Sequence, residues 1–183
     1  ISLSSQTDPK EMDGEALLKN MDIQYHTYAI AKSDYENPFF NEIIESYRDL
    51  VFNTHLFFPN RGLECLDRLG ALSQNGLLLL SMDKGTHEVR KLESIAAPEM
   101  IRHGSISFSV NYHAYGAYCE KQGGKNYFPD SSTFHMELAC LLFLKDSPRF
   151  IETGVAYQRF INDFGPDDFN GFKKLAYRFI KEM

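Results

Sequence analysis

The pattern of apolar and polar positions predicts alternating strands and helices along most of the chain. Its clearest segment is a run of four leucines, residues 77–80, between the turn residues Asn75-Gly76 and the polar group Asp83-Lys84-Gly85. A continuous apolar run between turn signals is typical of a strand buried on both faces, as in a parallel sheet covered by helices. Ligands bind beyond the carboxyl ends of such strands. We therefore expect a central strand here, with a ligand-binding edge at 83–85.

Shorter patterns predict the other elements. Alternation or β-forming residues favour strands at 23–30, 54–58 and 106–110. Helical spacing favours helices at 15–20, 42–51, 63–72 and 114–122. Residues 134–144 are apolar on nearly every side and predict a buried helix, and amphipathic helices follow at 148–164 and 166–180. Residues 1–14 predict a mobile lead-in, and residues 86–104 predict a loop with a weak helix.

These elements predict an α/β fold, a partial Rossmann-like sheet with flanking helices and a C-terminal helical appendage. Residues 1–130 would hold the later strands of the sheet, and residues 131–183 the helical segment. A chain of 183 residues fits one domain with an appended segment. Hydrophobic residues make up 43% of it, which is enough for a sizeable core.

Composition excludes several classes of partner. The net charge is -6 and no long basic run is present, which disfavours an electrostatic nucleic-acid binder. No apolar run approaches the roughly 20 residues of a membrane helix, and no signal peptide is visible. The three cysteines are widely spaced and form no CxxC pair, which favours buried thiols in a reducing, cytoplasmic compartment.

Polar residues after two predicted strands are the candidates for chemistry. Asp83 would hold a ligand amine or hydroxyl, and Gly85 would allow close backbone approach. An ordinary strand-to-loop turn explains both residues equally well. Asn111 and His113 follow the next strand, where Asn111 could simply cap the following helix.

Three further side chains are candidates for the lining of a substrate pocket: Lys84, Phe58 and Tyr112. Core packing is the alternative for Phe58, and a partly buried helix position is the alternative for Tyr112. The six histidines are scattered. Metal sites have tighter ligand spacing, so we predict no metal site.

Two blocks of this sequence resemble a known family. Residues 63–85 combine a helix, an Asn-Gly turn, the leucine strand and Asp83-Lys84-Gly85; residues 105–124 combine an alternating strand, a helix and Gly-Gly. In this order they resemble the C-terminal half of class I S-adenosylmethionine-dependent methyltransferases, in particular the group that includes the mitochondrial complex I assembly methyltransferase and its bacterial relatives. In that group a strand ends in Asp-Tyr-Gly, and a segment like Ala-His-Val-Asp-Phe-Ser-Ala-Leu follows. The matching segments here are residues 83–85 and 107–114.

The resemblance implies methyl transfer from S-adenosylmethionine to a protein or small-molecule acceptor, with Asp83, Asn111 and His113 facing the acceptor pocket. The family holds its cofactor with a glycine-rich loop after the first strand and an acid ending the second, and neither is found in this chain. Lys84 also stands where the family has Tyr. We therefore expect the cofactor-binding half to precede Ile1, and assign no cofactor-binding residue.

Two other functions compete with this interpretation. The chain could be a non-catalytic interaction domain whose Phe-rich C-terminal helices dock a partner protein or a second copy. A hydrolase using Asp83 with His113 or His87 is the weaker alternative, because no G-x-S-x-G nucleophile elbow is present.

Overall fold

The computed structural model describes residues 2–3, 14, 21–22, 35–94, 96, 101–102, 105–130, 136–144 and 150–182. In these ranges the strands are β1 (Ser2–Leu3), β2 (Met21–Asp22), β3 (Leu77–Thr86), β4 (Ile101–Arg102), β5 (Ile106–Ser107), β6 (Val110–Asn111), β7 (Lys125–Tyr127) and β8 (Met136–Phe143). The helices are α1 (Pro38–Leu50), α2 (Asn60–Ala71), α3 (Tyr112–Lys121), α4 (Ile151–Tyr157) and α5 (Pro166–Glu182). The predicted strand at 23–30 and helix at 15–20 lie outside the described residues.

The main sheet has four strands in the order β6-β3-β8-β7. β8 is antiparallel to both β3 and β7, whereas β6 runs parallel to the end of β3. β3 and β7 therefore point in the same direction, and the connection between them passes through α3. The predicted α/β class is confirmed, as a mixed sheet rather than a parallel one.

The predicted helix at 134–144 is wrong, because this segment contains strand β8. Residues 136–143 pair along their whole length with β3, from Lys84↔Met136 to Leu77↔Phe143. An apolar run without periodicity is compatible with either a buried helix or a buried strand. Two neighbouring strands supply the hydrogen bonds that decide between them here.

The leucine strand forms as predicted, but it is not buried on both faces. Leu77 and Leu79 face the core, while Leu78 is 47% exposed and Leu80 is 65% exposed. On this second face, α4 places Tyr157 against Tyr127 of β7, with ring centroids 5.7 Å apart. No described residue covers Leu78 and Leu80 to this extent.

Two other predicted strands differ from the structure. Residues 54–58 form no strand, although they are described. The segment 106–110 is split: β5 pairs with β4 in a separate two-stranded sheet, and β6 joins the main sheet next to β3. Between β3 and β4, the weak helix expected in 86–104 is a short 3-10 helix at Val89–Leu92.

The predicted helices 42–51, 63–72 and 114–122 are confirmed with shifted ends. α1 begins four residues early because Asn37 caps it: its side chain accepts a hydrogen bond of 3.0 Å from the Phe39 amide, and Pro38 occupies the first turn. α3 is followed by Gly123 in a left-handed conformation, with φ of 75°. The two C-terminal helices are α4, which continues through a π-helical turn at Gln158–Asn162, and α5.

The core lies between α1, α2, α3 and one face of the main sheet. Its larger group of buried hydrophobic residues is Phe40, Ile43, Tyr47, Val51, Leu63, Leu66, Leu92, Ala114 and Tyr118. A smaller group, Tyr112, Cys119, Ala139 and Leu141, joins α3 to β8. This packing holds the start of α3 beside the carboxyl end of β3. Within the described residues, no helix has both the length and the apolar character needed to cross a membrane.

Candidate functional site

Polar side chains gather where β3 ends and α3 begins. β3 runs to Thr86, and the parallel register places Gly85 beside Val110 and Thr86 beside Asn111. The first residues of α3 therefore lie against the carboxyl end of the leucine strand. Two groups of side chains occupy this edge: a relay of Tyr47, Asn111 and His113, and a rim cluster of Ser81, Asp83, His87, Tyr112 and Glu137.

The relay begins with Asn111, which is buried and caps α3. Its Oδ1 accepts a hydrogen bond of 3.1 Å from the Ala114 amide, and its Nδ2 donates one of 3.1 Å to the Tyr47 hydroxyl. The Tyr47 oxygen lies 2.9 Å from Nδ1 of His113. An unprotonated Nδ1 would accept a hydrogen bond from the Tyr47 hydroxyl, which completes a chain from amide to hydroxyl to imidazole.

Burial sets the protonation of this relay. It raises the pKa of Tyr47 to about 12, although the hydrogen bond with Asn111 acts in the opposite direction. Burial also lowers the pKa of His113 below its ordinary value. Both shifts favour the neutral forms, in which Tyr47 donates and His113 accepts. Sequence reasoning found Asn111 and His113 but missed Tyr47, which comes from α1.

The rim cluster lies on the sheet face that packs against α3. The Tyr112 hydroxyl is 2.9 Å from Oγ of Ser81 on β3. Burial raises the pKa of Tyr112, and the charges of Asp83 and Glu137 contribute in the same direction. The contact between Ser81 and Tyr112 joins β3 to the first turn of α3 at this edge.

The predicted site residues on β3 occupy different positions. Asp83 is exposed, and its carboxylate accepts a hydrogen bond of 2.7 Å from the Lys84 amide. Lys84 is exposed on the opposite face of the strand. No hydrogen bond among the described residues joins Asp83 to Asn111 or His113. Phe58 packs in an aromatic group with Tyr35 and Phe40, with ring centroids 5.6 and 5.7 Å away.

Gly85 allows two strands, β3 and β6, to lie close together. A Cβ at this position would meet the carbonyl oxygen of Val110 and the ring of Tyr112. The absence of a side chain therefore lets the short strand β6 lie directly against β3. This packing brings the start of α3 to the edge of the sheet.

Among the described residues, Glu137 is the charged residue that is completely buried, and the sequence gives little sign of it. Its Oε2 lies 2.8 Å from Nδ1 of His87. The one available signal is a single acid in the apolar run 136–143, a pattern hidden by the helix prediction for this segment. Across the described part of the chain, no group of three or more His, Cys, Asp or Glu residues could hold a metal ion.

Comparison of the chain with protein-family models, with curated proteins and with solved structures finds no match.

Proposed function

We propose that this chain forms the acceptor-binding part of a methyltransferase-like α/β protein. The observation that carries this proposal is the gathering of polar groups at the carboxyl end of β3, next to the first turn of α3. Open α/β sheets bind ligands at this end of their strands. The segments that resemble the methyltransferase family, 83–85 and 107–114, meet at this edge through the pairing of β3 with β6.

S-adenosylmethionine, the methyl donor that the resemblance implies, does not fit the described residues. The space beside two glycines near the start of α3 is filled by other residues of the chain. The Val110 carbonyl oxygen lies against Gly85, and the Tyr115 hydroxyl lies against Gly62. No glycine-rich loop after a first strand is present among the described residues, so no chemical step through the methyl donor follows from them. The donor-binding residues would therefore lie outside the described part of this chain.

The chain's own residues would bind and orient the acceptor. Asp83 is exposed at the rim and offers a carboxylate to an amine or hydroxyl of the acceptor. The relay of Tyr47, Asn111 and His113 is packed within the protein and would hold its geometry during the reaction. Reactions of this class depend mainly on proximity and orientation, with a smaller contribution from acid–base catalysis.

Titration calorimetry on the full-length parent protein tests this function. We expect S-adenosylmethionine to bind with one site per chain, and ATP, which shares its adenosine but lacks the sulfonium methyl, to give no comparable heat. Absence of S-adenosylmethionine binding to the folded parent would remove the methyltransferase proposal.

A second candidate, a non-catalytic interaction function, is favoured by the apolar stripe of α5. Phe169, Phe172, Phe179 and Ile180 are all more than half exposed and recur at helical spacing. Exposed apolar patches of this kind mark interaction surfaces. We propose that the stripe would pair with the same stripe of a second copy, because a twofold contact brings one surface against itself.

Light scattering on the whole chain tests this second function. The double variant Phe172→Ser/Phe179→Ser should reduce a dimeric mass to that of a monomer. The control Arg178→Ser/Lys181→Ser alters the same helix outside the stripe and should leave the mass unchanged. A monomeric native chain, or a dimer that survives the Phe substitutions, would rule out this pairing.

A further inference from the structure

Glu137 reaches the rim cluster through the register of two antiparallel strands. The pairing of β3 with β8 places Glu137 directly opposite Asp83, and cross-strand partners project from the same face of a sheet. His87 follows the end of β3 by one residue. Fifty positions therefore separate two side chains that the sheet brings into contact.

The carboxylate of Glu137 is buried in the protein interior. It has no exposed surface, its Oε2 is 2.8 Å from Nδ1 of His87, and its Oε1 has no hydrogen-bond partner among the described residues. A buried carboxylate costs free energy unless it is paired. His87 is the partner that this carboxylate has among the described residues.

The imidazole of His87 is held from two sides. Its ring stacks on Phe128 with centroids 4.7 Å apart and an interplanar angle of 2°, while Nδ1 contacts the carboxylate. The side chain keeps 21% of its surface exposed, and Nε2 has no hydrogen-bond partner within the described residues. A histidine whose Nδ1–H donates to a carboxylate presents an unprotonated Nε2 as a proton acceptor.

We propose that His87 accepts a proton from a hydroxyl or amine ligand at the rim cluster, and that Glu137 is its positioning residue. The proton moves to Nε2 from the O–H bond of a hydroxyl ligand, or from an N–H bond of a protonated amine, and the electron pair of that bond stays on the ligand heteroatom. The adjacent carboxylate balances the charge of the imidazolium that results. The identity of this ligand as a methyl acceptor rests on the proposed function, whereas the pairing of acid and imidazole does not.

Long-range proton–nitrogen NMR spectra of the whole chain test the positioning step directly. At mildly alkaline pH, His87 should be the Nδ1–H tautomer with an unprotonated Nε2. The variant Glu137→Met keeps the length of the side chain and removes the acceptor, so the Nε2–H tautomer should become the major form. The control Asp83→Asn changes the opposing carboxylate, which does not contact His87, and should leave the tautomer unchanged.

Reactivity toward diethyl pyrocarbonate, which modifies unprotonated ring nitrogens, tests the acceptor step. Loss of the charge-assisted hydrogen bond in Glu137→Met should slow modification of His87 about tenfold, as measured by peptide mass spectrometry. The exposed His55 should react at an unchanged rate in the same sample, which controls for the concentration and activity of the reagent.

Two outcomes would overturn this assignment: an Nε2–H tautomer of His87 in the native chain, or equal modification rates of His87 in the native and Glu137→Met proteins. Neither measurement uses S-adenosylmethionine. A failure of the methyltransferase proposal in calorimetry is therefore distinguishable from a failure of the His87–Glu137 pair.

Discussion

Asp83 and Glu137 face each other across the antiparallel pair of β3 and β8, and one is exposed to solvent while the other is completely buried. At this pair of residues, the side chains of the sheet change from buried to exposed. Two residues before Asp83 on β3, the hydroxyl of Ser81 contacts the hydroxyl of Tyr112. At the other end of this edge, after β3 has ended, His87 contacts Glu137. The candidate site is thus a short polar edge on an otherwise apolar sheet face.

Substitution of Asp83 by Asn should stabilise the chain. Acids directly opposite each other in a sheet repel, and an Asn oxygen can still accept the hydrogen bond from the Lys84 amide. We expect a gain of about 0.5 kcal/mol in the free energy of unfolding at low ionic strength, and a smaller gain in high salt. Urea unfolding at two salt concentrations measures this, and the exposed Glu93→Gln is the control for a general change of charge. A loss of stability in Asp83→Asn would contradict the expected repulsion.

Substitution of Tyr47 by Phe removes the hydroxyl at the centre of the relay. The amide Nδ2 of the buried Asn111 then loses its acceptor, which should cost about 1–3 kcal/mol of unfolding free energy. Tyr115→Phe is the matched control, because the Tyr115 hydroxyl makes no hydrogen bond to the described residues. Chemical denaturation of both variants gives the comparison, and equal stabilities would show that the relay adds nothing to the fold.

The contribution of Tyr47 should disappear in alkali. Its pKa is raised by burial from 10.0 in the unfolded chain to about 12 in the folded one, so the folded state holds the proton more tightly. The resulting stabilisation is fully present below pH 10 and is lost as the pH rises toward 12. A rise of the pKa by about two units corresponds to roughly 3 kcal/mol. The stability difference between the native chain and Tyr47→Phe, followed by urea unfolding from neutral to alkaline pH, should therefore shrink over this interval; a constant difference would contradict the raised pKa.

Substitution of Gly85 by Ala should disrupt the junction of β3 and β6. The added methyl group would meet the Val110 carbonyl and the Tyr112 ring, and such overpacking typically costs about 1–3 kcal/mol. The control Gly70→Ala places a methyl group in open space within α2, where it should stabilise the helix by about 0.5–1 kcal/mol. Thermal melting of the two variants should shift in opposite directions, and a neutral Gly85→Ala would argue against close packing at this edge.

Leu141 on β8 and Leu80 on β3 should contribute very differently to the free energy of unfolding. Leu141 is completely buried, so Leu141→Ala should cost about 2–5 kcal/mol of unfolding free energy. Leu80 is 65% exposed, and Leu80→Ala should change stability by less than about 0.5 kcal/mol. Denaturant titration separates the two. A large effect of Leu80→Ala would show that this face of β3 is covered in solution.

Local patterns in the sequence determined most of the helices and one central strand. Helical spacing located α2 and α3, and four leucines between turn residues located β3, because these signals depend on neighbours within a few residues. The same local logic identified Asn111 as the cap of α3. It could not assign 136–143, since an apolar run without periodicity suits a buried helix and a buried strand equally.

Tertiary structure alone decided how these elements meet. Because β8 pairs with β3, the segment predicted as a helix forms a strand. The same pairing places Glu137 next to His87, while Leu78 and Leu80 remain exposed on the other face of the sheet. α1 likewise carried Tyr47 to His113, 66 positions along the chain. Such contacts depend on hydrogen bonding and burial between distant segments, whereas sequence patterns report only the preference of each segment by itself.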